Sequence, residues 1–241
     1  MLFKKDYEIK YYEKNVLGDL KESALLNFLQ DAATLSAESL GFGPTFVFQN
    51  NYAWVVLKYH IELYKRINNF DFITLTTEPR GVSRLYAFRD FCIYSPSGDL
   101  IGKVISTWAL IDMDTRRVLP AQKVLPMMFP YEKRENEIEY VKFGDVENVE
   151  YSKEFVVKFD DIDVNRHANN SNYIVWALDS LPVDFRMKNF VKTMDIKFKK
   201  EALADTKIIV VSDLKQNVSC HKISSSDGDE LANIYIEWQQ C

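Results

Sequence analysis

One order of elements occurs twice along the 241 residues, and this repeat limits the fold more than any single motif. In the first half, Phe3 to Tyr12 reads as a strand and Val16 to Asp19 as a turn. Leu20 to Leu40 carries Leu25, Leu29, Ala32, Ala33, Ala37 and Leu40 at helical spacing, with Gly41 as a natural stop. Gly41 to Asn51, with two Gly, one Pro and three Phe, reads as a loop over an apolar surface. Ala53 to Leu63 alternates as a strand: Ala53, Val55, Leu57, Tyr59, Ile61 and Leu63 on one face, and Trp54, Val56, Lys58, His60 and Glu62 on a more polar one. Strands follow over Phe72 to Glu78, Leu85 to Tyr94 and Leu100 to Asp112, the last two joined by the turn Ser95-Pro96-Ser97-Gly98. The second half repeats this order. Glu154 to Phe159 reads as a strand and Tyr173 to Leu181 as a helix ended by Pro182. Phe190 to Lys200, Thr206 to Asp213, Val218 to Ser224 and Glu230 to Trp238 read as four strands. Gly98 and Gly228 hold equivalent places, as do Ile61-Glu62-Leu63-Tyr64 and Ile196-Lys197-Phe198-Lys199.

A strand, a helix and four strands, twice over, predict an α+β chain. The expected architecture is a double hotdog, two antiparallel sheets each wrapped around a long helix. The expected boundaries are 1–119 for the first hotdog, 120–150 for a linker and 151–241 for the second. Pro120, Pro126 and Pro130 break regular structure across the linker, and Glu132 to Glu139 is dense in charge.

Composition narrows the function classes. A formal net charge of −5 argues against a broad nucleic-acid-binding surface. The three cysteines, Cys92, Cys220 and Cys241, have no metal-ligand spacing, and their odd count argues against a disulfide framework. No metal or other cofactor is expected. The charged N-terminal segment MLFKKDYEIK is unlike a signal peptide, and no apolar run is long enough to span a membrane. The cytoplasm is the expected location.

Chemically able side chains concentrate in one stretch, Asp163-Val164-Asn165-Arg166-His167-Ala168-Asn169-Asn170-Ser171-Asn172-Tyr173, running on to Trp176. An acid, an amide and an imidazole sit at i, i+2 and i+4, which in an extended segment puts them on one side of the backbone. The stretch also reads as a polar loop before a helix, with Asn169, Asn170 and Asn172 as caps and Tyr173 and Trp176 as core. The same loop position in the first half, Asn15 to Lys21, has no His and no such triplet. His60 and His221 lack a partner pattern and read as structural.

The pattern Asp163-x-Asn165-x-His167-x-Asn169-Asn170-x-x-Tyr173 with Trp176 resembles the signature of the acyl-ACP thioesterases, the plant plastid enzymes and their bacterial relatives. The resemblance runs over nearly the whole chain. It implies hydrolysis of fatty acyl-ACP to free fatty acid and carrier protein, with Asp163, Asn165 and His167 in the active site. It also implies a basic-basic-Glu-Cys cluster at the end of the strand after the second helix. Here that cluster reads Lys199-Lys200-Glu201-Ala202, so Glu201 fits the family's Glu while Ala202 removes the usual thiol. Arg66 stands at Glu201's place in the first half. No transit peptide of the plastid type is read, and the chain looks like a mature bacterial form.

On this reading a carboxylate, Glu201 or Asp163, activates water, while His167 and Asn165 face the substrate. Backbone N–H groups at Asn169 to Asn172 would meet the oxyanion. Asn169, Asn170, Tyr173 and Trp176 are the substrate-binding candidates, and the first half suits an acyl pocket. The expected partner is an acyl carrier protein bearing the acyl thioester, with Arg80, Arg84, Arg89, Lys197, Lys199 and Lys200 as candidates for a local basic patch. The chain itself is expected as a monomer or homodimer. An acyl-CoA thioesterase remains the alternative. A hotdog enoyl hydratase and a non-catalytic acyl-binding module fit less well, since neither needs Asp163, His167 and Glu201 together.

Overall fold

A computed structural model describes residues 2–125, 127–133, 138–141, 146 and 148–241. Pro126 and the charged residues 134–137 of the expected linker lie outside the described residues. In chain order the elements are β1 (Phe3–Glu8), α1 (Glu22–Ser39), α2 (Pro44–Gln49), β2 (Tyr52–Leu63), β3 (Phe72–Val82), β4 (Tyr86–Tyr94), β5 (Leu100–Asp112) and α3 (Ala121–Val124). They continue as β6 (Tyr151–Val156), α4 (Asn170–Asp179), α5 (Val183–Arg186), β7 (Asn189–Phe198), β8 (Lys207–Lys215), β9 (Val218–Ser225) and β10 (Glu230–Gln240).

Every described strand pairing is antiparallel, and the strands of each half follow one scheme. In the first half the order is β1-β3-β4-β5-β2. In the second it is β6-β8-β9-β10-β7. Each strand thus has a counterpart at the same place, and the repeat read from element order is a repeat of topology. Each half is an antiparallel sheet with a helix, the double hotdog.

The chain divides into two compact units, Met1–Tyr11 with Asn27–Glu139, and Tyr12–Leu26 with Tyr140–Cys241. The division falls inside α1. The stretch from Tyr12 to Leu26 therefore groups with the second unit, whereas the repeat in sequence assigns it to the first.

In the first unit, α1 buries Leu29, Ala32, Ala33 and Ala37. Its Phe28 ring stacks on Tyr7 of β1 at 4.9 Å. The Gly41–Asn51 stretch is not a plain loop. It holds the one-and-a-half-turn α2, with Pro44 in the first turn, where the missing N–H costs nothing. The strict alternation expected along β2 is also interrupted. Its pairing with β5 slips between Val56 and Lys58, a bulge that adds Leu57 to one strand. His60, placed by alternation on the more polar face, is buried with its Nε2 3.3 Å from Glu62 Oε1.

In the second unit α4 is ten residues long, little more than half of α1. It starts three residues before the expected Tyr173, because Asn169 caps it. Tyr173, Ile174, Trp176, Ala177 and Leu178 are buried, and the helix lies against β8, β9 and β10.

Candidate active site

The Asp163–His167 segment is a tight turn rather than an extended run. Ile162 and Ala168 form an isolated antiparallel bridge. Inside it the Asp163 N–H donates to the His167 carbonyl at 2.8 Å, and the Arg166 N–H to the Asp163 carbonyl at 3.0 Å. Asp163 closes the turn with its side chain: Oδ1 accepts from the Asn165 N–H at 2.8 Å and Oδ2 from Asn165 Nδ2 at 3.3 Å. Arg166 adopts a left-handed φ of 66°.

The counterpart loop in the first half has the same hydrogen-bond scheme. Lys14 and Leu20 form the isolated bridge. The Asn15 N–H donates to the Asp19 carbonyl at 2.8 Å and the Gly18 N–H to the Asn15 carbonyl at 3.0 Å. Asn15 Oδ1 accepts from the Leu17 N–H at 2.8 Å. Gly18, at φ 79°, occupies the place of Arg166. An amide therefore holds this turn as well as a carboxylate does. The turn itself does not need the charge of Asp163.

His167 and Glu201 are brought together from positions 34 residues apart, with Nε2 3.2 Å from Oε2. The imidazole is 21% and the carboxylate 36% exposed, so the pair opens to solvent on the Glu201 side. His167 Nδ1 is buried and has no hydrogen-bond partner among the described residues. Burying an unpaired lone pair is less costly than burying an unpaired N–H donor. The proton of a neutral imidazole therefore belongs on Nε2, where it donates to Glu201.

Three of the N–H groups expected for an oxyanion at the helix start, those of Asn169, Ser171 and Asn172, are already engaged. Asn169 Oδ1 accepts from the Ser171 N–H at 2.9 Å. The Asn169 N–H donates to the Asp161 carbonyl at 2.8 Å and the Asn172 N–H to the Asn169 carbonyl at 2.9 Å. Asn172 Nδ2 also holds the Asp161 carbonyl, at 2.9 Å. The Asn-rich stretch thus caps α4 and fastens it to the loop before it. Tyr173 and Trp176 lie inside, their ring centroids 5.1 Å apart, with Phe198 edge-on to Tyr173 at 5.6 Å. Tyr173 is core, and its hydroxyl also reaches the Lys200 carbonyl and the Ala202 N–H, a contact for which the sequence carries no signal.

Two of the expected docking cations are not surface groups. Arg80 is 4% exposed, with Nη1 3.3 Å from Asp90 Oδ2, and Arg89 is 5% exposed. Arg89 Nη1 donates to Ser36 Oγ at 2.9 Å and Thr77 Oγ1 at 3.1 Å. Both arginines lie inside the first unit because neighbouring hydroxyl and carbonyl groups receive their N–H bonds. Lys199 pairs with Glu230, and Lys200 with Asp229 at 2.6 Å. Cys220 is half-buried and its thiol is pushed up, mainly by burial, away from the reactive thiolate. Ala202 is buried beside Glu201. No cluster of three or more His, Cys, Asp or Glu able to hold a metal occurs among the described residues. No helix among them is long and apolar enough to cross a membrane.

Comparison with known proteins identifies the family. An oleoyl-acyl carrier protein thioesterase of Coriandrum sativum is 23% identical over 95% of this chain and 68% of its own length. Oleoyl-acyl carrier protein thioesterase 1 of Arabidopsis thaliana is 26% identical over 84% of this chain and 61% of its own. The chain thus spans about two thirds of these relatives. Among solved structures, an acyl-ACP thioesterase from Bacteroides thetaiotaomicron superposes with a TM-score of 0.88 at 21% identity, covering 99% of this chain and 98% of its own. The 12:0-ACP thioesterase of Umbellularia californica gives 0.86 at 19%, covering 100% and 98%. Residues 1–126 match the acyl-ACP thioesterase N-terminal domain and residues 145–240 the C-terminal domain. With both domains matched in order, the chain belongs to the acyl-ACP thioesterase family.

Proposed function

We propose that the protein hydrolyses the thioester of fatty acyl-ACP, with chemistry at Glu201, His167, Asp163 and Asn165 in the second unit. The observation that carries this is the Glu201–His167 pair, set beside the Asp163–Asn165 turn in a chain whose two halves match the family's two domains in order. Glu201, the more exposed partner, takes a proton from water as its oxygen adds to the thioester carbonyl carbon. The carbon–sulfur bond then breaks, and the proton passes to the sulfur, leaving a fatty acid and a thiol. His167 Nε2–H, 3.2 Å from Glu201 Oε2, orients the carboxylate for the first step. The Asn165 amide, on the exposed side of the turn, is the donor for the developing oxyanion. Such fixed donors are worth about 2.7–4 kcal/mol. In the first unit Phe42, Phe46, Trp54, Leu125 and Met128 pack into one apolar cluster. The test is release of free thiol from acyl-ACP and from the matching acyl-CoA over a range of chain lengths. Faster release from the carrier protein is expected, and no release from either would overturn the reading.

Asp163 has a narrower role than a second general base. Both its oxygens already serve Asn165, and Asn15 does the same work in the counterpart loop with an amide. Asp163→Asn is therefore expected to stay within about tenfold of the wild-type kcat. Asp163→Ala, which releases the turn and misplaces Asn165, is expected to lose about 100-fold. Steady-state kinetics of the two variants decide it. Equal loss in both would mean that the charge of Asp163 itself takes part.

A further inference from the structure

One buried hydroxyl joins the two segments that carry the site. Tyr173, on α4, is almost wholly buried. Its Oη accepts from the Ala202 N–H at 2.9 Å and lies 3.4 Å from the Lys200 carbonyl, to which it donates. These two backbone groups flank Glu201 on either side. The carbonyl of Ala202 in turn accepts from the Ala168 N–H at 2.9 Å, and Ala168 is the residue after His167. A continuous chain of hydrogen bonds thus runs from the helix through the strand end to the catalytic loop. The phenol is also the place where both carboxylates are felt. It is pushed up to about 12, first by burial and further by Glu201 and Asp163, so it stays a neutral donor and acceptor throughout the working pH range.

We propose that Tyr173 is a positioning residue: its hydroxyl sets the Glu201–His167 separation by fixing the Lys200–Ala202 backbone from inside. The proposal rests on the reading of Glu201 and His167 as the catalytic pair. In this role Tyr173 acts through the residues it holds, the backbone on either side of Glu201. A displacement of one reacting group by about 1 Å costs on the order of 100-fold in rate. The fixed backbone matters more here than in a typical site, because Glu201 is partly exposed and side-chain packing alone does not confine it.

Tyr173→Phe keeps the ring contacts with Trp176 and Phe198 and removes only the hydroxyl. The expected result is a kcat lower by about 10- to 100-fold with KM changed by less than about threefold, the signature of an interaction that matters only at the transition state. A readout free of turnover is the ¹⁵N spectrum of the His167 imidazole. The wild type is expected to show the Nε2–H tautomer, and Tyr173→Phe a mixture. Unchanged kcat and an unchanged tautomer in the variant would overturn the proposal. So would a rate loss that merely follows the folded fraction while the tautomer stays fixed. If the wild type hydrolyses no thioester, the functional reading fails, while the tautomer comparison still judges the positioning role. If Tyr173→Phe does not fold, amide exchange in the wild type decides. The Ala202 and Ala168 amides should then exchange slowly and together, and exchange of Ala202 as fast as the Arg166 loop tip would overturn the proposal.

Discussion

Glu201→Gln is expected to lower kcat for acyl-ACP hydrolysis by about 10³-fold, within the usual contribution of a general base. The amide is nearly the same size and can still accept the His167 Nε2–H through its oxygen, so the geometry of the pair is largely kept. What it cannot do is take a proton from water. The side chain is more than a third exposed, and the backbone around it is held by Tyr173, not by the carboxylate. Thermal unfolding of the variant should therefore match the wild type, which separates lost chemistry from lost structure. KM should change little, because the carboxylate meets the water rather than the acyl chain. A variant that keeps a tenth or more of the wild-type kcat would remove Glu201 from the role of base and return attention to Asp163. A thiol beside Glu201 offers no rescue, since Ala202 occupies that position, and burial pushes the Cys220 thiol up.

Element order was legible in the sequence because hydrophobic period survives without tertiary knowledge. Both hairpin turns fell where Gly98 and Gly228 supply left-handed φ values of 86° and 88°. Features that depend on a partner elsewhere in the chain were not legible. The bulge at Leu57 is a property of the β2–β5 pairing, and nothing local to Ala53–Leu63 announces it. Arg89 reads as a surface cation until Ser36 and Thr77 are brought to it by α1 and β3. At the site, the i, i+2, i+4 spacing of Asp163, Asn165 and His167 implied an extended geometry that the segment does not have. The segment turns instead, because an Asp or Asn side chain can bond the N–H two residues on. The cap at Asn169 could have been read as the stronger claim on the helix N–H groups, since Asn is a preferred N-cap. The 34-residue step from His167 to Glu201 carries no spacing signal at all. It came from family resemblance, and the 3.2 Å contact gives it a geometry.

The second unit is expected to lose stability steeply in acid through His221, a group outside the site. The hydrogen bonds around it form one directed chain. Trp238 Nε1–H donates to Ser219 Oγ at 2.8 Å, and Ser219 lies 2.9 Å from His221 Nε2. On the other side His221 Nδ1 lies 2.7 Å from Ser212 Oγ, Ser212 lies 2.7 Å from Ser180 Oγ, and Ser180 donates to the Ala177 carbonyl at 2.6 Å. Because Ser180 spends its proton on Ala177, Ser212 donates to Ser180 and must accept from His221 Nδ1–H. Nε2 is then the acceptor of the Ser219 hydroxyl. The neutral imidazole satisfies every link, and a second proton on Nε2 would face a donor in a fully buried place. Burial alone pushes the imidazole down to about 3 from its ordinary 6.5. In the unfolded chain the same histidine is protonated below about pH 6.5. Between those limits the unfolded state binds one proton more than the folded state, so stability falls as pH falls, by about 1.4 kcal/mol per pH unit and about 5 kcal/mol in all. Above pH 6.5 this contribution is fully present and flat. Urea unfolding at a series of pH values, set against His221→Asn, isolates it. The asparagine keeps a donor and an acceptor in the chain but cannot titrate, so the wild type should lose stability faster than the variant between pH 6 and 4, by the slope given above. Parallel curves for the two proteins would mean that the buried imidazole finds a way to charge inside the fold, and that the directed chain does not hold it neutral.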